Sequence, residues 1–435
     1  MVSPPMDSKT LIYDVKVSSI GPADVTGSDL IYEPDNLDLA MKLHYLRGVY
    51  YFRSQAFDGL STLVIKEPMF LWLNKYPMTC GRFRRSDDHS GRPYIKCNDC
   101  GVRFIEAKSD KTLDDWFQIK DKDVSLEKVL VPNQYIGPEL GFSPLVFVQL
   151  TKFKCGGTAL SLSWAHVLGD AFSVAKFMNS LGHAVAGHEL GEPVDLSKTL
   201  TKSIGTNSST NFGDDPLSVK RVSPVGDNWV NTAKVQMEEF SFNITPTLLK
   251  HLNSKFNPSG PQFSPFELIS AVIWQCIARI RGEEGQPNIV TICKKSEGNK
   301  ASGALGNKQL VSVVKADISV ASANLGELAS MMQNNALEEN KKIDEAIERE
   351  EALADFILYG ANLTFVDLEG SPFYEVEFRG QKPENVSYRI EGVGDQGVIL
   401  VHPAPKDERR NIMVILPENE VTELKSELER EGLIA

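Results

Sequence analysis

From Gly191 to Lys234 the apolar periodicity that marks the rest of the chain stops. Ser, Thr, Asn, Gly, Pro and charged residues take over, as in Thr206-Asn-Ser-Ser-Thr-Asn-Phe-Gly-Asp-Asp-Pro216. A stretch of this length with no hydrophobic stripe of its own cannot supply a core layer, so it reads as a crossover between two units. The 435 residues then divide into a domain at 1–190, a crossover at 191–234 and a domain at 235–435. Each flank is long enough to bury a core of its own.

Both flanks mix the periods of helix and strand. Leu37–Tyr51 is mainly apolar and ends as a strand, and Leu60–Tyr76 has the spacing of an amphipathic helix. Strand-like pieces at Tyr94 and Val102 are separated by the turn Asn98-Asp-Cys-Gly101. Leu145–Lys154 and Thr158–Trp164, joined by Cys155-Gly-Gly, carry the signal of a hairpin, and a helix is expected from about Asp170 to Ala186. In the second flank, Ser264-Pro-Phe-Glu267 is a capping box that opens an apolar helix from Pro265 to about Arg281. Glu338–Asp355 is expected to be a charge-rich helix with Ile343, Ile347 and Leu353 as its apolar stripe. Strands are expected at Leu363–Val366, Tyr374–Phe378 and Gly397–His402, and a helix at Glu418–Leu433. The fold class is α/β: two similar-sized domains of mixed β-sheet flanked by helices.

The charge balance excludes one large class of function. With 46 Lys+Arg against 58 Asp+Glu the formal net charge is 46 − 58 = −12, and no nucleic-acid partner is expected of so acidic a chain. The opening residues lack a basic segment followed by an apolar one, so no secretory signal is read there. The most apolar windows, such as Leu268–Ala278, end at Arg279 and Arg281, short of the about 20 residues needed to span a bilayer. The expectation is a cytosolic chain, without a membrane span, whose membrane association is peripheral. The six cysteines are expected to be reduced thiols. Cys97-x-x-Cys100 has no second half-site to complete a metal set, and no metal is expected.

One constellation can carry chemistry. His166-Val-Leu-Gly-Asp170 follows a strand and leads into a helix, which places an imidazole where two elements meet. A side chain with a pKa near neutrality suits removal of a proton from a hydroxyl or amine. Asp170 can orient the ring, or it can turn away and pair with an Arg that fixes the turn. The chain has no G-x-S-x-G elbow, no P-loop and no G-x-G-x-x-G.

At these residues the chain resembles the plant BAHD acyl-CoA-dependent acyltransferases. Tyr76-Pro with Gly81-Arg82, the run Phe147–Gly157 leading into His166–Asp170, Leu305-Gly-Asn307, and Pro372–Pro383 follow the order of that family's landmarks. The resemblance implies two similar halves with a solvent channel between them, reached by acyl-CoA from one side and acceptor from the other. It makes acyl-CoA a possible substrate and implies no tightly bound cofactor and a monomer. His166 would deprotonate the acceptor, and Asp170 would hold the loop by an ion pair with Arg281 or, less favoured, Arg279. Thr364 would help stabilise the tetrahedral intermediate. Asn307, Phe378, Lys382 and Pro383 would support the fold around the site.

The chain also departs from the family pattern. Ala171 stands where Gly is usual, and the D-F-G-W-G-K-P segment keeps only Phe378, Lys382 and Pro383, with Glu377, Arg379, Gly380 and Gln381 between. Together with Asp38–Tyr45, Gly91–Gly101 and Tyr359–Phe365, these departures resemble the eceriferum/Glossy branch of cuticular-wax proteins. That branch implies work on very-long-chain acyl groups with the condensing enzyme of the fatty-acid elongase, at the endoplasmic reticulum. Two functions therefore stand side by side: an accessory protein in which His166 and Asp170 are inherited structure, and a working acyltransferase in which His166 is the base.

Overall fold

The computed structural model describes residues 11–27, 29–86, 91–120, 123–194, 215–231, 235–256, 263–296, 305–349, 353–404 and 409–434. Apolar strand runs at Tyr45–Phe52 and Thr158–Ala165 are buried at every position, so each must be covered on both faces. They form the inner part of a six-stranded sheet ordered Tyr13–Ile20, Val102–Ser109, Val146–Phe153, Thr158–Ala165, Tyr45–Phe52, Asn385–Glu391. The expected hairpin is present, with Val146 opposite Trp164 and Lys152 opposite Thr158. The helices Thr62–Asn74 and Ala171–Val185 pack on each other beside this sheet, Trp72 lying 4.1 Å from Phe177 between ring centroids.

A seven-stranded sheet runs Met237–Ile244, Arg410–Pro417, Val398–Pro403, Leu363–Asp367, Ile289–Lys295, Gln309–Lys315, Leu337–Glu338. Its side chains alternate between two cores, as the period of two requires. Ile399 and Val401 face a core with the helices Pro265–Gly285, Leu325–Asn334 and Glu418–Arg430. Val398 and Leu400 face a core shared with the first sheet. The capping box is formed: Ser264 caps Pro265–Gly285, which is buried from Phe266 to Ala278 and breaks its helical backbone at Gly282.

The edge strand Asn385–Glu391 of the first sheet comes from beyond the crossover, pairing residue by residue with Tyr45–Tyr51. Residues 195–214 and 232–234 of the crossover lie outside the described residues. The part at 215–231 is packed: Trp229 is buried against Phe83, and Lys220–Val222 pairs with Asp355–Ile357.

Two expected elements differ. Tyr374–Phe378 alternates buried and exposed positions yet forms no ladder. Its backbone lies against the helix Ala171–Val185 at Gly182, where burial satisfies the alternation without a neighbouring strand. The charge-rich helix is described over Asn340–Arg349, burying Ile343 and Ile347, while Leu353, expected in the same stripe, is 67% exposed.

Candidate active site

A single helical turn, His166–Leu168, follows the strand Thr158–Ala165 and carries the chain to Gly169, whose φ of 146° is open to glycine alone. A Cβ there would also lie 2.8 Å from the Gly306 nitrogen. The close approach brings 305–308 against the loop, and backbone groups hold the two together.

Asp170 caps the helix Ala171–Val185. Its Oδ1 accepts the Ser173 N–H at 2.9 Å and its Oδ2 the Lys308 N–H at 2.9 Å. Burial raises its pKa, and those two N–H groups oppose the shift. The ion pair expected with Arg281 or Arg279 is not formed. Arg281 pairs with Glu420 on the C-terminal helix at 2.8 Å, and Arg279 with Glu431 just past its end at 2.7 Å. Backbone donors supply what the guanidinium was expected to give.

Asn307 fastens the other end of the turn. Its Nδ2 donates to the His166 carbonyl at 2.8 Å and to Asp38 Oδ1 at 2.9 Å, and that oxygen also accepts the Asn307 N–H at 2.8 Å. Asp38 is fully buried and its pKa is raised to about 6, because desolvation outweighs the hydrogen bonds from Asn307.

The imidazole of His166 is 1% exposed. Its Nε2 lies 3.1 Å from the Tyr359 hydroxyl, which donates its proton to Gln309 Oε1 at 3.0 Å. The hydroxyl thus links the imidazole to Gln309 in a buried chain of polar groups. The imidazole's other polar neighbours are its own backbone and the side chain of Asn307, both of which favour its protonated form. Desolvation lowers the His166 pKa to about 4, so the ring is neutral near pH 7. His44 extends the cluster: its Nε2 accepts the N–H of Leu358 at 3.0 Å, its ring meets Tyr359 edge-on at 4.9 Å, and burial lowers its pKa to about 3.

Thr364 does not face the imidazole's partner atoms with a free hydroxyl. It donates to the Asn362 carbonyl at 2.8 Å and accepts the Gly360 N–H at 3.1 Å, so it ties the turn that presents Tyr359. Phe378 is buried between Phe52 and Phe57, Lys382 is exposed and Pro383 buried, all in the support of the first sheet. Arg379 adopts φ 53° and Gly380 φ 74° in a tight turn closed by Phe378 and Gln381, so Arg takes the conformation that Gly would adopt without strain.

Between the two sheets, aromatic side chains pack closely at one place. Gly48 leaves room for Tyr388, whose Cζ would lie 2.5 Å from a Cβ at that position. Tyr388 bonds the Tyr50 hydroxyl at 2.6 Å and stacks on Phe373 at 4.3 Å. The cavity bordered by Leu46, Tyr359, Gln309 and Tyr388 measures about 10 Å³, the space of a single water. The structure thus brings together His166, Asp170 and Asn307, and leaves Arg281, Phe378, Lys382 and Pro383 elsewhere. Sequence reasoning missed Asp38, His44, Gln309 and Tyr359 as members of the site. The only signal was that Asp38–Tyr45 and Tyr359–Phe365 stood out as unusual segments.

A model of the Transferase family matches residues 34–431. Protein ECERIFERUM 26 of Arabidopsis thaliana is 40% identical over 428 residues, covering 98% of this chain and 97% of that protein. Protein ECERIFERUM 2 of the same plant is 38% identical over 427 residues, covering 96% and 98%. Among solved structures, vinorine synthase superposes with a TM-score of 0.70 at 18% identity, over 97% of this chain and 98% of that one, a likeness of fold. No helix among the described residues is long and apolar enough to cross a membrane. On the family match over nearly its whole length, the chain belongs to the Transferase family, that of the BAHD acyltransferases.

Proposed function

We propose that this chain serves cuticular wax biosynthesis by promoting the elongation of very-long-chain fatty acyl groups alongside the condensing enzyme of the elongase, with no acyl transfer of its own. The observation that carries this reading is the closure of His166. A general base must reach the acceptor proton with a bare nitrogen. Here the imidazole is 1% exposed and its Nε2 is taken up by the Tyr359 hydroxyl at 3.1 Å. The similarity to two ECERIFERUM proteins supports the wax setting. The chain would meet its membrane-bound partner peripherally at the endoplasmic reticulum.

The intact backbone of the His166–Asp170 loop favours a second reading, an acyltransferase acting on an alcohol or amine after the Tyr359 contact opens. Co-expression with a plant condensing enzyme in yeast separates the two. Under the accessory reading, the wild type and His166→Ala both shift fatty acids to longer chains. A shift with the wild type alone, the variant being folded and equally abundant, would overturn it in favour of the acyltransferase.

A further inference from the structure

Beside the helix Asn36–Ala40, both halves and the crossover border a second space, about 490 Å³ in volume. That is within the range of ligand sites, where protein interiors otherwise leave little more than water-sized voids. Its apolar wall is Leu39 from that helix, Ile347 from the helix Asn340–Arg349, and Ala354 with Phe356 at the strand Asp355–Ile357. Each is less than a tenth exposed and belongs to the core that the two sheets share, so the wall is not a chance surface dimple.

The charged side chains of the described lining are Lys42, Arg85, Arg92, Asp227 and Asp355, and every one of them is engaged. Lys42 pairs with Asp355, and its ammonium also lies 5.3 Å from the centre of the Trp229 ring. The other oxygen of Asp355 accepts the Val225 N–H at 2.8 Å. Arg85 pairs with Asp227 at 2.6 Å and donates to the carbonyls of Gly91 and Gly226. Arg92 donates to the Pro34 carbonyl at 3.0 Å and to Asn36 Oδ1 at 2.9 Å, among its interactions. An ionised ligand would give up its hydration beside groups whose partners are already in place. A hydroxyl can exchange hydrogen bonds with the same groups and leave their charges matched.

We infer that this cleft binds an uncharged single-chain amphiphile with a hydroxyl head, of the primary-alcohol class. The chain lies on Leu39, Ile347, Ala354 and Phe356, and the hydroxyl donates to a carboxylate oxygen of the ion pairs beside that wall. Each methylene the cleft buries tightens binding about fourfold. A carboxylate or an ammonium on the same chain binds less well, because either one leaves a net charge in a lining whose charges are matched. The inference rests on the cleft alone and stands apart from the reading of His166.

Calorimetric titration of the full chain with 1-hexanol, 1-octanol, octanoate and octylammonium tests it. 1-Octanol is expected to bind one to one, about fifteenfold more tightly than 1-hexanol and about tenfold more tightly than either ion. Ala354→Trp, placed to fill the cleft, is expected to abolish binding, and the smaller Ala354→Leu to weaken it. Asp355→Asn keeps an acceptor for the Val225 N–H and removes the charge partner of Lys42, so it is expected to turn the preference toward octanoate. Asp227→Asn does the same to Arg85 at a more exposed pair and is expected to shift the preference the same way by less. Melting curves confirm that each variant is folded. Absence of saturable 1-octanol binding or an ion bound as tightly as the alcohol would overturn the proposal. So would undiminished binding by the folded Ala354 variants, or an unchanged preference in the folded Asp355 and Asp227 variants. Because binding is read directly, failure here is distinguishable from failure of the elongation assay.

Discussion

The seam between the two sheets is closed at one place and open at another. Where Tyr359, Gln309, Leu46 and Tyr388 meet, it leaves about 10 Å³. Between Leu39 and Phe356 it leaves about 490 Å³ with charged side chains among its lining. The helix Asn36–Ala40 serves both: Leu39 lines the open cleft, and Asp38 holds Asn307 and through it the His166 carbonyl. The contrast teaches that the backbone of a catalytic motif can be held in place independently of what meets its imidazole. The His166–Asp170 loop is held by hydrogen bonds from Ser173, Lys308 and Asn307, which do not depend on anything bound at the imidazole.

The largest effect that would break this comparison is at Asp170. Asp170→Ala removes a helix cap and leaves the Lys308 N–H without its acceptor, at a cost of about 3 kcal/mol from the two losses together. Asp170→Asn, whose amide oxygen still caps the helix, is expected to cost about 1 kcal/mol. Urea unfolding of both variants checks the pair. Equal, small losses would mean that the loop is held by something other than this carboxylate.

The local parts of this architecture were legible in the sequence, and the long-range parts were not. Ser264-Pro-Phe-Glu267 and the Cys155-Gly-Gly hairpin announce themselves because cap and turn chemistry lies within a few residues. His166 and Asp170 were legible through their spacing and their resemblance to a family. Their partners were not, since Tyr359 is 193 residues from His166 and Lys308 is 138 from Asp170. The expected Arg281 pair failed for the same reason. A guanidinium can meet any carboxylate the fold brings near, and Glu420 on the C-terminal helix is the one it meets. Asn385–Glu391 shows the limit most plainly. Its alternation marks it as a strand in hindsight, yet nothing local says that it completes the sheet on the far side of the crossover.

A middle-sized effect sharpens the closed side of the comparison. Tyr359→Phe keeps the buried ring and removes only the hydroxyl, stranding the His166 Nε2 and Gln309 Oε1 in a buried site. A stranded buried polar group costs about 1–3 kcal/mol, so a loss of about 2 kcal/mol in urea unfolding is expected. A neutral substitution would mean that these groups find water beside the imidazole.

The smallest effect is a dependence on acid, and it probes the same closure without removing a contact to Tyr359's ring. The His166 pKa is about 4 in the fold, against about 6.5 for an unfolded histidine. Between pH 7 and pH 6 the unfolded chain takes up on average about half a proton at this residue, which the folded chain refuses. The unfolded state binds the extra proton, so stability falls as pH falls through that window, by about 0.7 kcal/mol from His166 alone. His166→Gln cannot titrate and is expected to lose that much less than the wild type over the same interval, whatever its own stability at pH 7. Comparing the two slopes cancels the other ionisable groups, including Asp38, whose raised pKa of about 6 acts in the opposite direction. Parallel slopes would mean that His166 accepts its proton in the folded state. The imidazole would then be open to solvent, and the closed side of the seam would resemble the open one.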